Sequence, residues 1–205
     1  MIRVITPYNK PHEKYLTSCE ASVIQASYKL DVFHDIQFDW GKGQAWAIRK
    51  LLSRVNDNDI VCILDADDMA KKQMFKNIEL LKEYDLVYGD VINLDEKGHG
   101  KVYHAQPIDL EVFKKRNIIP VSGVVAKGWL LKSEEYPDLF HGKDHLWWHK
   151  LLKHSDKFHY ESGIVAVRRT WTSYKRCDIP VYRKFRRLYY NERVKRLIRK
   201  EYESK

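Results

Sequence analysis

Three carboxylates, Asp65, Asp67 and Asp68, stand within four residues, directly after the apolar run Ile60, Val61, Cys62, Ile63 and Leu64. Carboxylates this close repel one another and gain most from a cation placed between them. A hard divalent ion with oxygen ligands can then bridge to a diphosphate. A plainer use is helix capping, with Asp65 or Asp67 at the start of a helix near Met69, but capping needs one Asp and the sequence supplies three. A fourth acid, Asp144, lies in the stretch from Phe140 to His154, FHGKDHLWWHKLLKH. In the first turn of a helix it is either a cap favoured by the helix dipole or a carboxylate on a rigid element, aimed at a cleft as a general base must be. The four histidines nearby, His141, His145, His149 and His154, have no recognised ligand spacing and read as surface or core residues.

The run Ile60–Leu64 suits a strand buried on both faces, which places the acids at its carboxyl end, where open α/β sheets bind ligands. Ahead of it the pattern predicts a strand at Arg3–Thr6, a loop from Pro7 to Pro11, a helix over His12–Ser27 and a strand over Leu30–Phe38 whose end carries Asp35 and Asp39. The turn Trp40-Gly41-Lys42-Gly43 opens a helix over Gln44–Val55 and can cradle phosphate, although it is more often a simple turn. Behind it come a helix over Lys71–Lys82, a strand over Asp85–Val91 with Asp90 near its end, and a hairpin-type turn at Asp95–Gly98. A short helix over Asp109–Arg116 follows. Ile118–Val125, which holds Pro120 and Gly123, reads as a bent or edge strand. The helix from Lys143 puts Leu146, Trp147, Lys150 and Leu151 at core spacing, and Glu161–Thr170 is a late strand. This alternation predicts an α/β fold with a central sheet.

The chain has 205 residues, 44% of them hydrophobic and 13% aromatic, enough for one domain with a full core. No apolar run approaches a membrane span and the start lacks a signal peptide's apolar core, so the expected location is cytoplasmic. Three dispersed cysteines indicate neither a disulfide framework nor a zinc site. From Tyr174 onward there are twelve Lys and Arg against four Asp and Glu, so nearly all of the net charge of +9 sits in this tail. Val181, Phe185, Leu188, Tyr189, Leu197 and Ile198 recur near helical period there, predicting one or two basic amphipathic helices. Such a tail can lie on an anionic surface, bind nucleic acid, or simply pack.

Taken together, Val4-Ile5-Thr6-Pro7-Tyr8-Asn9, Leu64-Asp65-Ala66-Asp67-Asp68, Leu86-Val87-Tyr88-Gly89-Asp90 and Lys143-Asp144-His145-Leu146-Trp147 resemble, in that order, the family 2 glycosyltransferases of the GT-A fold. The resemblance covers roughly residues 1–175, leaving 176–205 as the basic helical tail. It implies a mixed central sheet flanked by helices and a nucleotide-sugar donor. Thr6, Pro7, Tyr8, Asn9, Asp35, Asp39, Gly43, Asp65 and Ala66 would hold the donor nucleotide. Asp67, with Asp65, would ligate Mn2+ or Mg2+. Asp144 would deprotonate the acceptor hydroxyl for an inverting attack, and Asp90, Gly123, Lys143 and Trp147 would face the acceptor or the donor sugar. The implied acceptor is a glycan, a lipid-linked molecule or nucleic acid, with residues 178–205 able to touch an anionic surface such as the inner membrane leaflet. A different class, a degenerate transferase domain binding nucleic acid through the tail, is the competing expectation. Two departures stand out: Lys143 replaces the family's usual Glu, and Arg168-Arg169-Thr170-Trp171 lacks the His of the family's late signature.

Overall fold

The computed structural model describes residues 1–139, 142–170, 192 and 194–199. His141, residues 171–191 and most of the basic tail lie outside the described residues. The first half is a parallel unit. β1 (Ile2–Tyr8) runs between β2 (Val32–Phe38) and β3 (Ile60–Ile63), parallel to both. Helices α1 (Leu16–Ser27) and α2 (Gln44–Leu52) cover opposite faces. Val4 packs with Cys19 and Val23 of α1, whereas its neighbour Ile5 packs with Ala45, Ile48 and Leu51 of α2. Burial on both faces is why these strands read as continuous apolar runs. Pro7 is tolerated inside β1 because β3 pairs with β1 only as far as Ile5, so no ladder bond is lost on that side.

The second half turns the sheet mixed. Strands β4 (Met69–Ala70), β5 (Leu86–Leu94), β6 (Gly100–Tyr103), β7 (Val124–Lys127) and β8 (Phe158–Arg169) complete an eight-stranded sheet in the order β2-β1-β3-β7-β5-β8-β4, with β6 hairpinned onto β5. β7 runs antiparallel to both β3 and β5, while β8 runs parallel to β5. The short helices α3 (Lys72–Lys76), α4 (Leu110–Phe113) and α5 (Gly128–Lys132) fill the edges, and α6 (Lys143–Leu151) carries Asp144. Among the described residues no helix is long and apolar enough to cross a membrane.

Four expectations are corrected. The strand predicted over Ile118–Val125 begins only at Val124, and it is central rather than at an edge. Pro120 has no N–H to donate and Gly123 holds φ +90°, so the residues before Val124 form a turn that feeds the strand. No helix begins near Met69: Met69 and Ala70 pair with Val167 and Ala166, and α3 starts at Lys72 with Lys71 as its cap residue. The capping use of Asp65 or Asp67 therefore falls away. The long helix over Lys71–Lys82 divides into α3 and a 3-10 turn, Asn77–Lys82, and the helix predicted from His12 opens as a 3-10 turn, Lys10–Tyr15.

His145 and His149 are buried side by side on α6, both with Nε2 against the Phe113 carbonyl oxygen at 2.5 and 3.2 Å, and His149 stacks on the Phe113 ring. Burial pulls the His149 imidazole down from 6.5 to about 4. The unfolded chain therefore takes up this proton first, and stability falls as pH drops from 6.5 toward 4. The loss is on the order of 3 kcal/mol. In His149→Leu the stability against urea is expected to depend less steeply on pH across that window, and an unchanged slope would show that His149 does not carry it.

Candidate active site

The acidic cluster sits in the turn between β3 and β4, held by partners from three distant segments. Asp68 is 1% exposed, and its two oxygens accept from the Ser122 hydroxyl at 2.5 Å and the Arg169 amide at 3.2 Å. The same Ser122 oxygen accepts from the Asp65 amide at 3.1 Å, so one side chain fixes both acids. The Arg169 guanidinium donates to the Asp67 carbonyl at 2.6 Å and to the Ser18 hydroxyl at 3.2 Å, and lies over the Tyr15 ring. Asp68 is thereby a structural anchor, which leaves Asp65 and Asp67 as the acids able to face a ligand. Asp65 accepts from the Gln44 amide at 2.9 Å, and Asp67 has His12 Nε2 at 3.8 Å.

Asp144 reaches this cluster from α6. Burial pushes the Asp65 carboxyl up to about 7, and the charges of Asp67 and Asp144 push it the same way, against Lys143 and Arg168. Asp144 is itself raised by burial, opposed by Lys143, by the hydrogen bond from the Tyr136 hydroxyl and by Arg168. Burial and the charges of Asp67 and Asp65 hold Asp68 well above the usual carboxylate range. Four acids thus share one region with three cations, Lys143, Arg168 and Arg169, and the carboxylates that remain pushed toward protonation are what a further cation would relieve. Among the described residues no group of three or more His, Cys, Asp or Glu is arranged to hold a metal ion. Two carboxylates do suit Mg2+ or Mn2+, which take remaining ligands from phosphate and water.

The other predicted residues separate cleanly. Thr6, Pro7, Tyr8 and Asn9 form the carboxyl end of β1 and the turn beyond it; Thr6 is fully buried with its hydroxyl 2.8 Å from His34 Nε2, and Asn9 Oδ1 is buried with no partner. Asp39 follows β2 beside them, its amide donating to the Tyr8 carbonyl at 2.9 Å and its carboxylate accepting from the Gly41 amide. Asp35 does not join them. It pairs opposite Ile5, roughly 10 Å back along the strand from Tyr8, and its carboxylate is bound by Arg3 at 2.6 Å. Gly43 caps α2 at φ +90°, where a Cβ would meet open space, and Ala66 is fully buried between the two acids.

Asp90 and Trp147 are both buried and bonded within the protein. Asp90 is 6% exposed and its oxygens accept from the Ala105 amide and the Tyr160 hydroxyl, both at 2.9 Å, and lie 3.2 Å from His104 Nδ1. Those bonds tie β5 to β8 and to the segment after β6. Trp147 is fully buried, with its ring N–H on the Glu134 carbonyl and its face against Trp148. Gly123 donates to the Ile63 carbonyl at 2.8 Å at the end of β3, and a Cβ there would come within 2.4 Å of a Val165 methyl. Gly123→Ala is expected to cost about 2–4 kcal/mol through positive φ and overpacking. Denaturant unfolding measures it, and a change below 1 kcal/mol, set by the same reasoning about strain, would contradict the geometry.

The sequence reading missed Ser122, Arg169, Gln44 and Tyr136. Ser122 and Tyr136 carried no signal, since they act through partners far away in the chain. Gln44 directly follows the Gly-rich turn and Arg169 sits in the late Arg-Arg pair, so position offered a hint for both.

No protein-family model and no curated protein sequence matches the chain. Among solved structures, residues 1–349 of S. aureus TarS align with a TM-score of 0.57 and 16% identity, over 82% of this chain and 60% of that one. The same fragment in complex with UDP-GlcNAc aligns at 0.57 and 15%, over 82% and 58%, and its UDP complex at 0.55 and 15%, over 82% and 60%. The chain thus spans less than two thirds of the TarS fragment. The fold is the GT-A glycosyltransferase fold, a mixed sheet flanked by helices.

Proposed function

We propose that this chain is a metal-dependent, inverting glycosyltransferase that moves a sugar from a nucleotide-sugar to an acceptor hydroxyl in glycan synthesis, such as that of the cell envelope. One observation carries the reading. Asp65 and Asp67 from the β3–β4 turn and Asp144 from the first turn of α6 converge in a GT-A fold, at the carboxyl end of β3. That the TarS fragment forms complexes with UDP-GlcNAc and UDP supports a nucleoside-diphosphate donor of this class.

Asp65 and Asp67 would hold Mn2+ or Mg2+, which neutralises the charge growing on the departing nucleoside diphosphate. Tyr8, Asn9 and Asp39 bind the nucleoside end, with the unpartnered Asn9 Oδ1 able to accept from it. Asp144 accepts the hydroxyl proton as the acceptor oxygen attacks the anomeric carbon from the side opposite the nucleotide. The carbon–oxygen bond to the diphosphate breaks in the same step. Its raised affinity for protons suits Asp144 to that role, because a carboxylate stripped of water is a stronger base. Lys143 and Arg168 oppose that rise at both acids without cancelling it.

Incubating the chain with a panel of nucleotide-sugars and Mn2+ tests this. Release of nucleoside diphosphate from one donor, with the sugar appearing in the opposite anomeric configuration by proton NMR, is the expected result. Retained configuration would remove the inverting mechanism, and no release from any donor would remove the transferase reading.

A further inference from the structure

We propose that residues 194–198 of the carboxy-terminal tail act as a strut that fixes the first turn of α6, making Val194 and Ile198 positioning residues for Asp144. The inference rests on the reading of Asp144 as the base. The tail's composition drew attention to its charge, yet its described residues are tied to the site by apolar contacts. Val194 is 4% and Ile198 1% exposed, and together with Leu146 they form an apolar cluster of their own, flanked by Leu139 and Leu197. Their spacing of four places both on one helix face, while Arg196 and Arg199 face solvent.

The rest of α6 is anchored elsewhere. Trp147, Trp148 and Leu151 belong to the large core built on β1, β3, β5 and α2. Within the described residues, Leu146 is the apolar side chain of the first turn that packs away from that core, and its partners come from the tail. The second contact is at the helix cap. Gly142 sits at φ +69°, and a Cβ built there would fall 2.8 Å from one Val194 methyl and 3.2 Å from the other. Asp144 lies midway between Gly142 and Leu146, so the two tail contacts bracket it. A nine-residue helix is not stable alone and takes its position from packing. A base displaced by about 1 Å loses on the order of a hundredfold in rate, so the strut is placed where small movements matter.

The test uses the full chain and needs no turnover, so it stands apart from whether Asp144 is the base. In Val194→Ser with Ile198→Ser, exchange of the first hydrogen-bonded amides of α6, at residues 146 and 147, is expected to rise about tenfold or more, with β1 and β3 unchanged. The Asp144 carboxyl, followed by carbon-13 NMR, is expected to titrate closer to an ordinary aspartate as water reaches it. The conservative variant Ile198→Val should restore both readings to nearly those of the parent. Should the double variant unfold, Val194→Ala alone reads the same contact, and it is expected to speed exchange at residues 146 and 147 to a smaller extent, with β1 and β3 again unchanged. Unchanged exchange at residues 146 and 147 together with unchanged titration of Asp144, in a variant that stays folded, would overturn the strut. If these readings hold while Asp144→Asn still transfers sugar, the strut stands and the base assignment fails.

Discussion

Asp144→Asn is expected to lower the rate of sugar transfer about a thousandfold, close to 4 kcal/mol of transition-state stabilisation. The amide keeps the shape and still accepts the hydrogen bond from the Tyr136 hydroxyl, but it cannot take a proton. Donor binding should be kept or slightly strengthened, because the loss concerns a step that follows binding and the Asp144 charge is one of those that push Asp65 toward protonation. Stability should hold or rise, since the substitution removes a charge from a place where burial already disfavours it. Transfer that persists within tenfold of the parent, the size of a lost positioning contact rather than a lost base, would contradict the assignment.

Asp67→Asn is expected to abolish the metal-dependent part of nucleotide binding. A nucleoside diphosphate at a hundred times its dissociation constant stabilises a protein by about 2.7 kcal/mol, which for a chain of this length raises the melting temperature by about 5–10 °C. With Asp67 neutral, one of two ligand carboxylates is gone and the shift with Mn2+ should fall to that seen without metal. The variant without ligand should be at least as stable as the parent, because Asp67 is among the charges that push Asp65 and Asp68 toward protonation. Calorimetry with and without Mn2+ distinguishes lost metal binding from a damaged fold.

Much of the site was legible because its chemistry is local. The acids directly follow a strand whose burial on both faces leaves an unbroken apolar run, and Asp144 heads a helix whose periodicity is plain. The elements that escaped are those defined by distant partners. β4 is two residues long and exists because Met69 and Ala70 pair with β8, almost a hundred residues later. β7 is central, but a turn of Pro120 and Gly123 precedes it, and those residues usually mark an edge. Trp147 carried two readings. Helical spacing placed it in the core, the family resemblance placed it at the sugar, and the structure buries it completely. Asp35 and Asp39 could not be separated by sequence, since both fall near the end of one strand; the Arg3 ion pair separates them. Ser122, which fixes Asp65 and Asp68 together, has neither motif nor spacing to announce it.

The most direct measurement is the melting temperature of the parent chain with each common nucleoside diphosphate, in the presence and absence of Mn2+. The account expects one nucleotide to stabilise the chain by several degrees only when the metal is present, as two carboxylates completed by phosphate oxygens require. If no nucleotide shifts the melting temperature, with or without Mn2+, the GT-A fold here does not carry a nucleotide-sugar site and the proposed activity is wrong.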